Sequence, residues 1–262
     1  MTHYKFVLAG DTGTGKTSQF RTFPGPRERK FAQLFDPAAR STLTDDDGIL
    51  EDWAPLPSEL DILPRSKEKK AEKRGGLYTR WAKDFNEKVK KNFFKDIDYY
   101  MIDSLTLLDQ ACLREELSKE QADDRLAYRM AGETIVQAMW AMCSLPCNVL
   151  LTLHTKFVQD KETSKNEHRL TISGGAKVYL PRLVSALWFT STVEPEGKAQ
   201  AIRPDIYMGP RFLVTTRPLP RWPHVRTPHA FSHLPLHADL TIEDWNEPTR
   251  FGLGKLLKES VK

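Results

Sequence analysis

Short apolar runs alternate with longer amphipathic segments along the chain, a pattern that predicts alternating strands and helices. Trp81, Phe85, Val89 and Phe93 recur every four residues and predict a helix whose apolar face lies in the core. Further helices are predicted at 105–117, 127–145 and 176–183. Buried strands are predicted at 4–9, 31–35, 99–102, 148–153, 184–189 and 211–216. This order predicts an α/β fold with a mostly parallel central sheet flanked by helices.

A phosphate-binding motif follows the first predicted strand. Residues 10–17 read G-x-x-x-x-G-K-[ST], the P-loop, and residues 18–21 can open a helix behind it. Its glycines let the backbone curl so that N–H groups point at phosphate oxygens, and a helix N-terminus adds positive potential. A chance glycine-rich turn is the alternative. We expect the nucleotide ligands to be Gly10, Asp11, Thr12, Gly13, Thr14, Gly15, Lys16, Thr17 and Ser18.

The motif also predicts the cofactors, ATP and Mg²⁺. Lys16 is expected to reach the outer phosphates, and the Thr17 hydroxyl to ligate Mg²⁺. Asp103 ends the apolar run 99–102 in the pattern of a Walker B strand. A buried strand adjacent to the P-loop strand would deliver the Asp103 carboxylate to the Mg²⁺ shell. Thr17 and Asp103 are therefore the predicted metal ligands.

Polar residues also end two other predicted strands. Asp36 follows the strand 31–35, where its carboxylate could act on water or metal, or could cap the turn before Pro37. His154 follows the strand 148–153 and is predicted to face the γ-phosphate as a sensor, although it could merely cap the strand. The predicted catalytic residues are Lys16, Asp36, Asp103 and His154.

Residues 155–171 are predicted to form a polar loop directly after His154. Positive side chains on a mobile loop suit the phosphate backbone of single-stranded DNA, and such contacts do not depend on base sequence. Phe157 is the only aromatic residue in this segment, and three acidic residues dilute its charge. The predicted DNA contacts are Lys156, Lys161, Lys165 and Arg169.

Composition limits the class of protein without naming its activity. The chain has 262 residues and 40% hydrophobic content, and none of its apolar runs approaches the length of a membrane span. It begins without a long apolar segment typical of secretion, so we expect a cytoplasmic protein with no membrane contact. Three cysteines are too few for a disulfide framework. A net charge of +4 is compatible with nucleic acid but does not demonstrate binding.

The chain divides into a core and an extension. Residues 1–217 carry the motifs, with a charged insertion at about 41–80 that either contacts nucleic acid or is simply solvated. Residues 218–262 form a proline- and histidine-rich extension, packed on the core or trailing it. Its histidines at 229, 233 and 237 resemble metal ligands in spacing, but this stretch cannot be one long helix, which disfavours a metal site.

Two arginines bracket the strand 211–216. Arg211 and Arg217 could reach a nucleotide on a neighbouring subunit, as arginine fingers do, or could form ordinary surface ion pairs. The first possibility requires a homo-oligomer.

The order of these motifs resembles the ATPase core of the RecA family over roughly residues 1–217. The P-loop, the strand ending at Asp36, the sequence 102–104 (Ile-Asp-Ser) and the strand ending at His154 are shared. Residues 173–177 (Ser-Gly-Gly-Ala-Lys) are similar to the segment that closes the DNA-binding loop of RecA. The chain most resembles the core-only ATPases of bacteriophages. That resemblance implies ATP hydrolysis, single-stranded DNA, recombination or strand annealing in a bacterial host, and a single-strand DNA-binding protein as a partner.

One departure from the family bears on activity. RecA proteins usually carry a catalytic glutamate two residues beyond the position of Asp36, and here that position is Ala38. Hydrolysis could then use Asp36 or be slow. Two other functions remain open, a P-loop kinase for a small molecule or nucleoside, and a nucleotide-gated scaffold that does not hydrolyse ATP.

Overall fold

A single mixed sheet forms the centre of the protein. The structure is a computed structural model, and it describes residues 3–54, 76–119, 124–159, 166–193 and 210–260. The sheet has nine strands in the order β3-β2-β4-β5-β1-β7-β8-β9, with β6 paired to β5. The strands are β1 (Lys5–Gly10), β2 (Lys30–Leu34), β3 (Ile49–Asp52), β4 (Tyr99–Asp103), β5 (Asn148–Gln159), β6 (Asn166–Leu170), β7 (Ala186–Val193), β8 (Arg211–Thr215) and β9 (His237–Asp239).

The first six strands of that order are parallel to one another. β1 lies between β5 and β7 in parallel register, and β4 lies between β2 and β5. The antiparallel pairs of the described strands are β5 with β6, β7 with β8, and β8 with β9. The carboxyl ends of the parallel strands therefore meet at one edge, which is where ligands bind in open α/β sheets. The predicted α/β fold with a mostly parallel sheet is confirmed.

Five α-helices flank the sheet within the described residues. They are α1 (Leu77–Lys90), α2 (Leu105–Ser118), α3 (Asp124–Cys143), α4 (Ala176–Leu183) and α5 (Gly252–Ser260). The four-residue spacing predicted α1 correctly, because Trp81 and Phe85 are buried. Val89 is 43% exposed, so the buried face ends one turn earlier than the pattern suggests. Phe93 lies beyond the helix in a short 3₁₀ turn.

The helix expected behind the P-loop is present, as a 3₁₀ helix over Thr17–Thr22. Two expectations about local structure were wrong. The Walker B strand is not adjacent to the P-loop strand, since β5 lies between β4 and β1. Residues 155–171 are not an open loop, because β5 continues to Gln159 and pairs with β6 as a hairpin. The β-branched and aromatic residues at 155, 157 and 158 favour that extended pairing.

The described C-terminal residues pack on the core. β9 adds to the sheet edge beside β8, and α5 lies against the 3₁₀ helix that follows the P-loop. Gln19 joins both parts, since its side chain donates to the Leu240 carbonyl and accepts from the Leu253 amide, each at 2.9 Å. The Gly254 amide donates to the Thr22 hydroxyl at 2.9 Å. The end of the chain therefore supports the segment that follows the P-loop.

Some predicted features lie outside the described residues. These are residues 55–75 of the charged insertion, and Lys161 and Lys165 in the predicted DNA segment. Among the described helices, none combines the length and apolar character needed to cross a membrane.

The contact between α5 and the P-loop helix is tight enough to test. A β-carbon at Gly254 would lie 1.7 Å from the Thr22 carbonyl oxygen, so Gly254→Ala must displace backbone. We expect a loss of about 3 kcal/mol in the free energy of unfolding, measured by urea denaturation.

Gly132→Ala in α3 is the matched control. Its β-carbon would meet only ordinary contacts, at 3.6 and 3.8 Å, and alanine favours a helix by up to about 1 kcal/mol. An unchanged stability of Gly254→Ala would show that α5 does not pack against residues 17–22 in solution.

Candidate nucleotide site

The P-loop curls between β1 and the following 3₁₀ helix. Gly13 and Gly15 have φ angles of 79° and 75°, in the left-handed region that favours glycine. The Thr14 hydroxyl donates to the Asp11 carbonyl, and the Ser18 hydroxyl to the Gly15 carbonyl, each at 2.8 Å. These bonds hold the loop in a concave form, the conformation in which successive amides can receive phosphate oxygens.

Lys16 is buried inside this loop. Its Nζ donates to the carbonyl of Gly10 at 3.0 Å, to that of Asp11 at 2.6 Å and to the Thr14 hydroxyl at 3.2 Å. Burial lowers the pKa of Lys16 to about 8, although the negative charge of Asp103 nearby opposes the shift. Carbonyl dipoles thus hold an ammonium group that pairs directly with no carboxylate of the described residues, and a phosphate would supply a negative charge.

Asp103 is bonded from two sides. Thr17 Oγ1 donates to Asp103 Oδ2 at 2.7 Å, and the Thr152 hydroxyl of β5 donates to the other carboxylate oxygen. The residue is 3% exposed, and burial raises the pKa of its carboxyl while both hydroxyl bonds oppose the rise. A buried carboxylate beside a hydroxyl is the hard-oxygen donor set that Mg²⁺ takes, so these residues fit the predicted ion.

Asp36 lies at the end of β2 next to Asp103. Its backbone amide donates to the Asp103 carbonyl at 3.0 Å. Its side chain accepts from the Ala38 amide at 2.9 Å and caps the 3₁₀ turn Pro37–Ser41. The carboxylate therefore has the turn-capping contact that sequence reasoning gave as the alternative to catalysis. The Ala38 side chain, in the place of the family glutamate, is exposed.

His154 lies opposite the end of the P-loop strand. It is paired in register with Gly10, and its amide donates to the Thr106 hydroxyl at 3.0 Å. Burial lowers the pKa of its imidazole, and the charge of Lys16 lowers it further. The ring is therefore neutral at neutral pH, so it can accept as well as donate a hydrogen bond.

A cleft of about 610 Å³ opens between the P-loop, the first turns of α2 and the start of the hairpin. Asp11 and Thr155 meet across it, with the Thr155 hydroxyl donating to the Asp11 carboxylate at 2.9 Å. The cleft is lined by Asp11, Thr12, Thr106, Leu107, Gln110, His154, Thr155, Lys156 and Thr171.

Comparison with known proteins agrees with this geometry. Residues 2–218 match a family model described as an AAA domain. The chain belongs to this AAA-domain family. No curated protein matches the sequence of this chain. Among solved structures, it is similar to the flagellar accessory protein FlaH from Methanocaldococcus jannaschii, at 10% identity and a TM-score of 0.39 over 92% of this chain and 85% of that one. The family match and the geometry of the P-loop place the chain among the nucleotide-binding proteins of the P-loop ATPase class.

The predicted DNA contacts and the two arginines predicted to reach a neighbouring subunit differ in their exposure and their partners. Lys156 and Arg169 are exposed and directly opposed across the hairpin, and Arg169 also forms an ion pair with Glu167 on its own strand. Arg211 forms ion pairs with Asp239 and with Glu243, the latter at 2.7 Å, which is the surface pairing named as the alternative to a trans role. Arg217 donates to the Leu234 carbonyl at 3.4 Å.

Sequence reasoning missed several residues that support the site. Thr190 on β7 bonds the Thr14 hydroxyl at 2.7 Å, and Thr152 reaches Asp103. Phe212 on β8 packs against Gly15. A single threonine or phenylalanine inside an apolar run carries no local signal of such a role, because each contact depends on which strands become neighbours.

Asp109 on α2 bonds Ser173, in the segment that follows the hairpin. Its Oδ2 accepts from both the amide and the hydroxyl of Ser173 at 2.9 Å. Its Oδ1 is buried without a hydrogen-bond partner among the described residues. Burial raises the pKa of Asp109 to about 6, while the Ser173 bonds and the charge of Lys177 oppose the rise.

The raised pKa of Asp109 predicts that the free energy of unfolding depends on pH. Because its folded-state pKa lies above the unfolded value, Asp109 holds its proton more tightly in the folded protein. Its contribution therefore declines as pH rises from about 4 to about 7, by roughly 3 kcal/mol. We expect the free energy of unfolding of wild type, relative to Asp109→Asn, to fall by that amount over this range.

Urea denaturation of both proteins at several pH values measures the difference. A constant difference for Asp109→Asn would show that the carboxyl titrates normally.

Proposed function

We propose that this protein hydrolyses ATP with Mg²⁺, binds single-stranded DNA, and acts in phage-type homologous recombination or strand annealing in the cytoplasm of a bacterial host. The observation that carries the proposal is the continuity of β5. Its first half ends at His154 beside the P-loop, and its second half is one arm of the hairpin that carries Lys156 and Arg169. One strand thus spans the nucleotide site and the proposed DNA surface.

The P-loop amides, Gly10 to Ser18, would bind the phosphates of ATP. Lys16 would turn from the loop carbonyls to the outer phosphates, and Thr17 and Asp103 would hold Mg²⁺. The ion would neutralise charge on the transferring phosphate. Asp36 and His154 would orient the attacking water. Because Asp36 also caps a turn and Ala38 replaces the family glutamate, we expect slow hydrolysis without DNA.

The hairpin suits a phosphate backbone. Like charges directly opposite each other on paired strands destabilise a sheet, so Lys156 and Arg169 gain when an anion lies between them. Phe157 is 58% exposed and lies on the other face of the hairpin, since neighbouring residues alternate sides. Its ring offers a surface on which a base can stack. Lys161 and Lys165 belong to the same proposed surface by sequence.

Oligomerisation extends the proposal. A homo-oligomer would allow Arg211 or Arg217 to reach a nucleotide on the neighbouring subunit, although Arg211 would first have to leave Asp239 and Glu243. A single-strand DNA-binding protein would be a further partner at the DNA.

Phosphate release tests the coupling between the two sites. We expect Mg²⁺-dependent release from ATP to be slow alone and to rise at least several-fold with single-stranded DNA. Lys16→Ala should abolish both rates, because the ammonium that contacts the phosphates is lost. Phosphoryl transfer to nucleosides without DNA stimulation would favour the kinase, and tight ATP binding without release would favour the scaffold.

The DNA surface has its own test. Lys156→Ala with Arg169→Ala should weaken DNA binding and reduce the slope of log K against log salt by about 1.4, since two phosphate contacts are lost. Lys255→Ala with Lys258→Ala, at two exposed positions of α5, is the control that removes the same charge elsewhere. Equal effects of the double variant and the control would exclude the hairpin as the DNA contact.

The lowered pKa of Lys16 predicts proton uptake when ATP binds. The free protein carries Lys16 about half neutral at pH 8, and phosphates would restore its charge. We expect an uptake of about 0.5 proton per ATP at pH 8 and about 0.9 at pH 9. Calorimetry in buffers of different ionisation enthalpy measures it, and pH 7 serves as the control with little uptake. Binding at pH 9 without uptake would contradict the role given to Lys16.

A further inference from the structure

We infer that Phe212 on β8 is the platform on which the base of the bound nucleotide stacks. The inference rests on the proposed binding of ATP at the P-loop and adds the position of the nucleoside. A β-carbon at Gly15 would lie 2.9 Å from the Phe212 ring, so the ring packs directly on the P-loop backbone. The residue is half-buried, so part of the ring remains open to solvent.

The order of the strands gives the direction of the nucleotide. The γ-phosphate end of the site is marked by Lys16, Asp103 and His154. Asp103 belongs to β4 and His154 to β5, and both strands lie on one side of β1. β7 and β8 lie on the other side of β1. A triphosphate whose outer phosphate faces β4 and β5 therefore directs its nucleoside towards β7 and β8. The Phe212 ring lies on that side, in contact with the loop that would hold the phosphates.

The backbone of Phe212 is fixed on both edges. It pairs with Thr192 of β7 in antiparallel register. Its amide donates to the Thr241 hydroxyl at 2.9 Å, and its carbonyl accepts from the Leu240 amide at 2.8 Å. A ring on a strand held this way loses little conformational freedom when a base stacks on it, so most of the stacking energy is available for binding.

A second aromatic residue, Trp245, lies against the 3₁₀ helix that follows the P-loop. The guanidinium of Arg21, in the 3₁₀ helix after the P-loop, lies 5.1 Å from the centroid of the Trp245 ring, which is 42% exposed. Gln19 bonds the Leu240 carbonyl, so the segment containing Trp245 is anchored to that helix. The C-terminal segment therefore packs on the 3₁₀ helix that follows the P-loop.

Stacking on a phenylalanine reads the face of a base and not its edge. It favours purines over pyrimidines through their larger area and distinguishes adenine from guanine poorly. The structure thus assigns a site for purine nucleoside triphosphates in which the phosphates supply most of the affinity and Phe212 supplies the preference for a base.

Comparison of ATP with inorganic tripolyphosphate tests this assignment, because the second ligand has the phosphates without a base. Calorimetry with Mg²⁺ should show that Phe212→Leu weakens ATP binding about five- to hundredfold and changes tripolyphosphate binding less than twofold. Phe212→Tyr should retain wild-type affinity for ATP. Trp140→Leu removes a ring that is 56% exposed on α3 and should change neither affinity.

The possible failures are distinguishable. Equal weakening of ATP and tripolyphosphate by Phe212→Leu would show that the ring only supports Gly15, and no weakening of either would place the base elsewhere. Both results would overturn the inference and leave nucleotide binding intact. Failure of the wild-type protein to bind either ligand would overturn the proposed function itself.

Discussion

The bond between Thr17 and Asp103 is the interaction on which the arrangement of the site depends. It joins the end of the P-loop to the end of β4, although β5 lies between these strands in the sheet. Thr152 of β5 bonds the other oxygen of the same carboxylate. A carboxylate that is 3% exposed is costly to bury without such partners. The two hydroxyls stabilise it and thereby fix the relative positions of three chain segments.

Much of the candidate site could be predicted from the sequence, because its main residues belong to short local motifs. The glycine and lysine spacing identified the P-loop, and apolar runs ending in Asp103 and His154 identified two strands whose ends lie beside it. The error was the order of the strands. A run of apolar residues predicts a buried strand but not its neighbours, because pairing is decided by packing far apart in sequence. For that reason Thr152 and Thr190, which bond Asp103 and Thr14, were missed.

The hairpin shows a second limit of sequence reasoning. Its charged and polar residues suggested an open loop, yet Thr155 to Gln159 pair with Asn166 to Leu170. Charge describes only which side chains face water, and the strand is held by backbone bonds and by buried Leu170. A paired arm is more constrained than an open loop, and His154 and Lys156 lie two residues apart on the same strand.

The C-terminal segment has a larger role than its composition suggests. Its prolines and histidines give no regular pattern, but β9 and α5 enclose the side of the P-loop away from Asp103. Gln19 bonds this segment at Leu240 and Leu253, while Phe212 covers Gly15. The family match ends at residue 218, so Leu240 and Leu253 lie beyond it while Phe212 lies within it. The helix that follows the P-loop is thus held in place by a part of this chain that the family model does not describe.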